Sequence, residues 1–125
     1  MRIIPALPDD DFIRALQRVQ DKCGTLWSVP FVLGRIFAQQ AGLYAIRDSD
    51  SHIAWLVVER MDQGRGPWMN VWILEGEGLH HAEVIFPLLD DLAKSMGASR
   101  WRCEGRTGWG KWLKPVATVF ERECT

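Results

Sequence analysis

WMNVWILEGEGLHHAEVIFPLLDDLAKSMGASRWRCE, residues 68–104, passes through three textures in succession. Trp68 to Leu74 reads as a strand, with Trp68, Asn70, Trp72 and Leu74 sharing one face. Glu75-Gly76-Glu77-Gly78 interrupts it as a loop. Val84, Ile85, Leu88, Leu89, Leu92 and Met96 then recur at helical spacing until Gly97 stops the pattern. Pro87 has no N–H to give to a helix interior and is tolerated in a first turn or at a kink, so the regular helix is expected to begin near Ala82 to Val84. Arg100 to Glu104 returns to strand texture. The segment is a strand, a loop, a long helix and a strand.

Toward the N-terminus, Leu43–Arg47 and Ile53–Glu59 form a hairpin around the polar turn Asp48-Ser49-Asp50-Ser51, and the turn from Met61 to Pro67, with Gly64 and Gly66, leads into Trp68. Two helices precede the hairpin. Asp9, Asp10 and Asp11 cap and charge the first, residues 10–23, whose apolar stripe is Phe12, Leu16, Val19 and Cys23. Ser28 caps the second, with Pro30 in its first turn and an end at Ala41-Gly42. Arg2–Ala6 is an edge strand, since Pro5 and Pro8 stop its growth. Beyond Glu104, Thr107–Leu113 reads as a short tryptophan-bearing helix and Val116–Glu123 as one last alternating strand. The expected fold is one α+β domain over residues 1–125, a mixed and mainly antiparallel sheet flanked by helices in the order β-α-α-β-β-β-α-β-α-β.

Composition narrows the function. Fifteen basic against sixteen acidic residues leave a net charge of −1, which gathers neither nucleic acid nor an anionic membrane as a whole. Cys23, Cys103 and Cys124 form no CxxC pair and read as free thiols of a reducing compartment. No stretch reaches the roughly 18 apolar residues of a membrane helix, and the N-terminus lacks a signal-peptide pattern, so the cytoplasm is the expected location.

The element order, together with Leu92-Ala93-Lys94-Ser95-Met96-Gly97-Ala98 leading into Glu104-Gly105-Arg106-Thr107-Gly108-Trp109 and then Leu113, resembles the GNAT N-acetyltransferase superfamily and, within it, small GNAT-like proteins of tailed phages. The resemblance implies an acetyl-CoA pyrophosphate resting on backbone N–H groups at the start of the long helix, in a Q/R-x-x-G-x-G/A loop, where glycine allows close approach and the helix dipole favours an anion. On that pattern the cofactor-binding stretch is Ile73, Leu74, Gly76, Gly78 and Leu79, with Ile73 standing where Gln or Arg belongs. Glu75 and Glu77 add carboxylates beside it; at ~5 Å and an effective dielectric of about 20 each charge pair costs roughly 3 kcal/mol. The family's tyrosine acid is expected in the short helix after the fifth strand, but the chain's one tyrosine is Tyr44. Glu59 is the best remaining catalytic base, with Asn70 the polar residue inside the next strand.

Each feature has a structural reading beside the chemical one. Glu59-Arg60 also fits a solvated strand end, and His80, His81 and Glu83 fit a polar helix start better than a metal site, because adjacent helical histidines diverge by about 100°. Trp55, Trp72 and Trp101 suit strand interiors, whereas Trp27, Trp68, Trp109 and Trp112 sit at element ends and suggest an aromatic interface of Trp68, Trp109 and Trp112. Arg100, Arg102, Arg106, Lys111 and Lys114 read as a solvated basic face.

The functional expectation is therefore a phage-encoded GNAT-fold protein with a degenerate catalytic site. It would bind no cofactor and act on a protein partner, in the virion or in the host cytoplasm, as a monomer or homo-oligomer. The alternatives are an active acetyl-CoA-dependent N-acyltransferase and an inhibitor of a host enzyme.

Overall fold

The structure is a computed structural model that describes residues 1–23, 27–76, 82–104, 114–116 and 119–124, with the side chains of residues 22, 23, 82, 104, 114–116 and 119–121 excepted. Its elements run β1 (Arg2–Pro5), α1 (Asp10–Cys23), α2 (Val29–Phe37), β2 (Gly42–Asp48), β3 (Ser51–Met61), β4 (Trp68–Gly76), α3 (Ala82–Ser95), β5 (Arg100–Glu104), β6 (Lys114–Val116) and β7 (Val119–Glu123). They form an α+β fold whose mixed sheet has the order β1-β2-β3-β4-β5-β7-β6. β4 and β5 are parallel, and the β1–β2, β5–β7 and β6–β7 ladders are antiparallel. The chain divides into two compact units, Met1–Val57 with Ile73–His80, and Val58–Trp72 with His81–Thr125.

In the first unit, local chemistry sets the helix ends. The Asp9 carboxylate accepts the Phe12 N–H at 2.8 Å and caps α1, and Ser28 Oγ accepts the Phe31 N–H at 3.2 Å and caps α2. α1 buries Phe12, Ala15 and Leu16, and the Phe12 ring meets Trp55 of β3 edge-on at 5.5 Å. α2 stops at Phe37, before the expected Ala41-Gly42. There Gln39 adopts the left-handed conformation at φ 59°, and the Gln39 and Gln40 N–H groups bond back to the Ile36 and Arg35 carbonyls at 3.1 and 2.9 Å. This is a Schellman ending with glutamine in glycine's usual place, and hence no sequence signal marked it. β3 is buried on both faces from Ala54 to Val58, as a central strand requires.

In the second unit, α3 begins at Ala82, inside the expected range, and ends on Gly97 at φ +81°. Pro87 lies on its exposed side, where the bond its missing N–H leaves unmade faces water. The helix is rotated from the expected stripe: Val84 is 51% exposed, while Ile85, Phe86, Leu89, Asp90 and Ala93 are buried. A carboxylate therefore occupies a core position. Its neighbours explain this. Trp101 of β5 and Arg122 of β7 are directly opposed across the ladder, and both reach Asp90, the indole N–H at 2.9 Å and the guanidinium as a fork at 2.8–3.0 Å. The Phe86 ring, one turn earlier on α3, packs 5.3 Å from Trp101.

The expected last strand, Val116–Glu123, is two. β6 pairs antiparallel with β7, with Val116 opposite Val119. The expected helix at Thr107–Leu113 lies outside the described residues. The basic face is also corrected: Arg100 is 2% exposed, its guanidinium donates to the Arg65 carbonyl, and Arg102 lies over the Trp68 ring at 5.0 Å. Arg106 and Lys111 fall outside the described residues, as does the Lys114 side chain. Among the described residues no helix is long and apolar enough to cross a membrane, and none form a cluster able to hold a metal ion.

Cys103 is 2% exposed on the face of β5 that turns to the core, and burial pushes its thiol from 9.0 up to about 12. At neutral pH the folded and unfolded thiols are both protonated, so this group exerts no pH effect. Above pH 9 the unfolded thiol ionises while the folded one holds its proton, so stability falls by about 1.4 kcal/mol per pH unit from this group until pH reaches about 12. Urea titrations at pH 8 and pH 10.5 will show a steeper alkaline loss for the natural chain than for Cys103→Val. Equal losses would mean that the thiol ionises freely in the fold.

Candidate functional site

β3 and β4 carry the expected acid–amide pair. Both residues belong to the second unit, and Asn70 Nδ2 donates to Glu59 Oε1 at 3.0 Å, part-buried. Alternation along β4 places Met69 and Val71 in the core and leaves Trp68, Asn70 and Trp72 half-buried on the other face. Arg102, register partner of Asn70 in β5, covers Trp68 on that face. The half-buried face therefore carries a carboxylate oriented by an amide, beside a guanidinium stacked on an indole. Trp72, expected in the core, lies on this half-buried face, because the core face of β4 is taken by Met69, Val71 and Ile73. Arg102, expected on a solvated basic face, joins this group through its register opposite Asn70, a long-range property that no local pattern carries.

The expected interface is only partly visible. Trp68 is present but stacked under Arg102, and Trp109 and Trp112 lie outside the described residues. Trp27 is half-buried, and its carbonyl accepts from Gln20 Nε2 at 2.9 Å.

Of the expected cofactor stretch, Ile73, Leu74 and Gly76 are described, and Gly78 and Leu79 are not. Ile73 is 4% exposed, with its side chain in the core. Gly76, the last residue of β4, has φ +154°, and a Cβ there would lie 2.3 Å from the Ile53 carbonyl oxygen and 2.6 Å from the Ala54 Cα of β3. Its missing side chain is what lets β4 close on β3. Glu75 accepts from Arg18 Nε of α1 at 3.2 Å, so its carboxylate is held by an ion pair rather than left open. Other ionisable groups are shifted for structural reasons. The hydrogen bond to Asp90 raises Arg122, and burial raises the Cys124 thiol.

Solved structures share this architecture over nearly the whole chain. A GNAT acetyltransferase-family protein from Desulfovibrio desulfuricans superimposes with a TM-score of 0.65 at 9% identity, covering 98% of each chain. The chain has the GNAT fold. Ard1 from Thermoplasma volcanium matches this GNAT arrangement at TM-score 0.61 and 14% identity over 98% of this chain and 97% of its own. A GNAT-family acetyltransferase from Brucella melitensis, in complex with acetyl-CoA, matches at 0.57 and 12% identity over 98% of this chain and 86% of its own. No protein-family model matches the sequence, and no curated protein matches it. At these identities the likeness carries the GNAT fold, and the chemistry must be argued from this chain's residues.

The coenzyme that the GNAT fold implies can be tested against them. A phosphate cradle needs open space over glycine and convergent N–H groups. Among the described residues of the stretch, the space over Gly76 is filled by β3, Ile73 is packed in the core, and Glu75 sets a carboxylate at the strand end. Ile73, Glu75 and Gly76 by themselves therefore offer no cradle for a pyrophosphate, and Gly78 and Leu79 lie outside the described residues.

Proposed function

We propose that this chain is a GNAT-fold protein that works by binding a protein partner rather than by acyl transfer. The observation that supports the reading is Gly76: its bare face is occupied by the Ile53-Ala54 backbone, so the glycine has a packing reason of its own. Ile73 in the core and Glu75 in an ion pair support it. The setting we propose is a bacteriophage, in virion assembly, on the resemblance carried by Glu104-Gly105-Arg106-Thr107-Gly108-Trp109. Calorimetric titration with acetyl-CoA is the test. We expect no saturable heat in the micromolar range, and micromolar binding would overturn the reading.

A second reading, acyl transfer to an amine, is favoured by the hydrogen bond between Asn70 and Glu59. It orients a carboxylate, a group whose chemistry is to accept a proton from an acceptor ammonium. On that reading Glu59→Gln abolishes CoA release against a panel of amines while the fold stays intact. No release from the natural chain across the panel speaks for the first reading.

A further inference from the structure

The geometry points to a pocket, wholly within the first unit, that binds a small carboxylate with an apolar body, its charge on Arg47 and its body along Ile53 and Trp55. The cavity is about 700 Å³, in the size range of small-molecule sites. It opens between α1, from its cap to Arg18, and the ends of β2, β3 and β4.

Its charges sort into neutralised and surplus. Arg14 pairs with Asp11, and Arg18 pairs with Glu75 at 3.2 Å. Asp9 is spent on the α1 cap, where the helix dipole offsets it. The Arg47 guanidinium donates to the Asp50 backbone carbonyl, a neutral acceptor, so a full positive charge remains on that wall. His52 reports the field there: burial first and then Arg47 lower its pKa, against weaker opposite pulls from Glu75, Asp9 and Asp11. The His52 ring is therefore neutral at pH 7, and it rests 4.6 Å from the Trp55 ring, next to the cation. A carboxylate takes the vacant side of the Arg47 fork, and an apolar body follows the Ile53–Trp55 wall. This site is independent of the reading proposed above, since it uses neither Glu59 nor a coenzyme.

In sequence, Asp48–Ser51 carries only the signature of a polar turn. The turn does the aiming. Its Asp50 carbonyl holds the Arg47 side chain, and His52 follows one residue past the turn.

Benzoate is the probe, titrated into the full chain while the His52 ring protons are followed by NMR, with His52→Asn for assignment. We expect saturable binding, an upward move of the His52 titration midpoint, and no binding of benzamide, which has the same body without the charge. Arg47→Gln should weaken benzoate about tenfold or more, the worth of a charge-assisted hydrogen bond. Glu75→Gln should tighten it several-fold by releasing Arg18, a gain that a misfolded variant would not give. Failure to saturate, binding of benzamide equal to benzoate, an Arg47→Gln effect under about twofold, or weakening by Glu75→Gln would each overturn the assignment.

Discussion

Asp90→Ala will destabilise the chain by about 3 kcal/mol, toward the lower end of what breaking a buried ion pair costs. The carboxylate is 2% exposed and satisfies both the Trp101 indole N–H and the Arg122 fork. Alanine removes both acceptors at once, leaving a buried indole N–H unpaired and a guanidinium without its counter-ion. The loss stays at the lower end because the Arg122 side chain is 26% exposed and can recover part of its hydration. Urea denaturation should show the midpoint falling with little change in slope, and the thermal midpoint should fall by roughly 10 °C. Asp90→Asn, which keeps an acceptor for Trp101, should cost less. Asp90→Leu combined with Arg122→Leu should recover much of the loss, because an apolar pair avoids the desolvation of two charges. An Asp90→Ala midpoint within experimental error of the natural chain would refute the role assigned to this network.

Gly76→Ala is expected to cost on the order of 3 kcal/mol, and its sign also bears on function. The added Cβ would lie 2.3 Å from the Ile53 carbonyl oxygen, and φ +154° is a conformation L side chains rarely adopt. The two nearest contacts on the β3 side are backbone, Ile53 O and Ala54 Cα, and the third is the Ala54 Cβ, which cannot rotate away, so relief requires β3 and β4 to separate. Equilibrium denaturation of the variant measures this directly. A glycine kept for phosphate approach would behave in the opposite way: stability would be nearly unchanged, and any coenzyme binding would be lost. That outcome would overturn both the packing explanation and the proposed binding function.

Many element starts and stops were legible because the groups that set them are neighbours in sequence. Asp9 caps a helix three residues ahead of Phe12, Gly97 ends one two residues past Ser95, and Ser28 with Pro30 opens another. Alternation located β4, strand texture after the Gly97 stop located β5, and a continuous apolar run located β3. The local rules failed where the chain used an unusual residue for a familiar turn, as at Gln39, and where one expected strand is two, as at β6 and β7. At the candidate site, the sequence named Glu59 and Asn70 from their places in adjacent strands, and the structure joins them in one hydrogen bond. The resemblance implies a ligand at Gly76, and the structure adds a packing contact there that the sequence could not show, the close approach of Ile53 and Ala54 of β3.

By itself, then, the sequence determined the order of elements from β1 to β5 and most of their ends, since capping, periodicity and glycine stops act over one to four residues. Only the tertiary structure decided what the charged and small residues are for. Asp90 meets Trp101 and Arg122 at separations of 11 and 32 residues, Arg18 meets Glu75 at 57, and Gly76 meets Ile53 across a strand boundary. The cost of burying a charge, or of omitting a side chain, is set by the partner on the other side of the contact. No local pattern in the chain specifies that partner until the sheet has brought the two together.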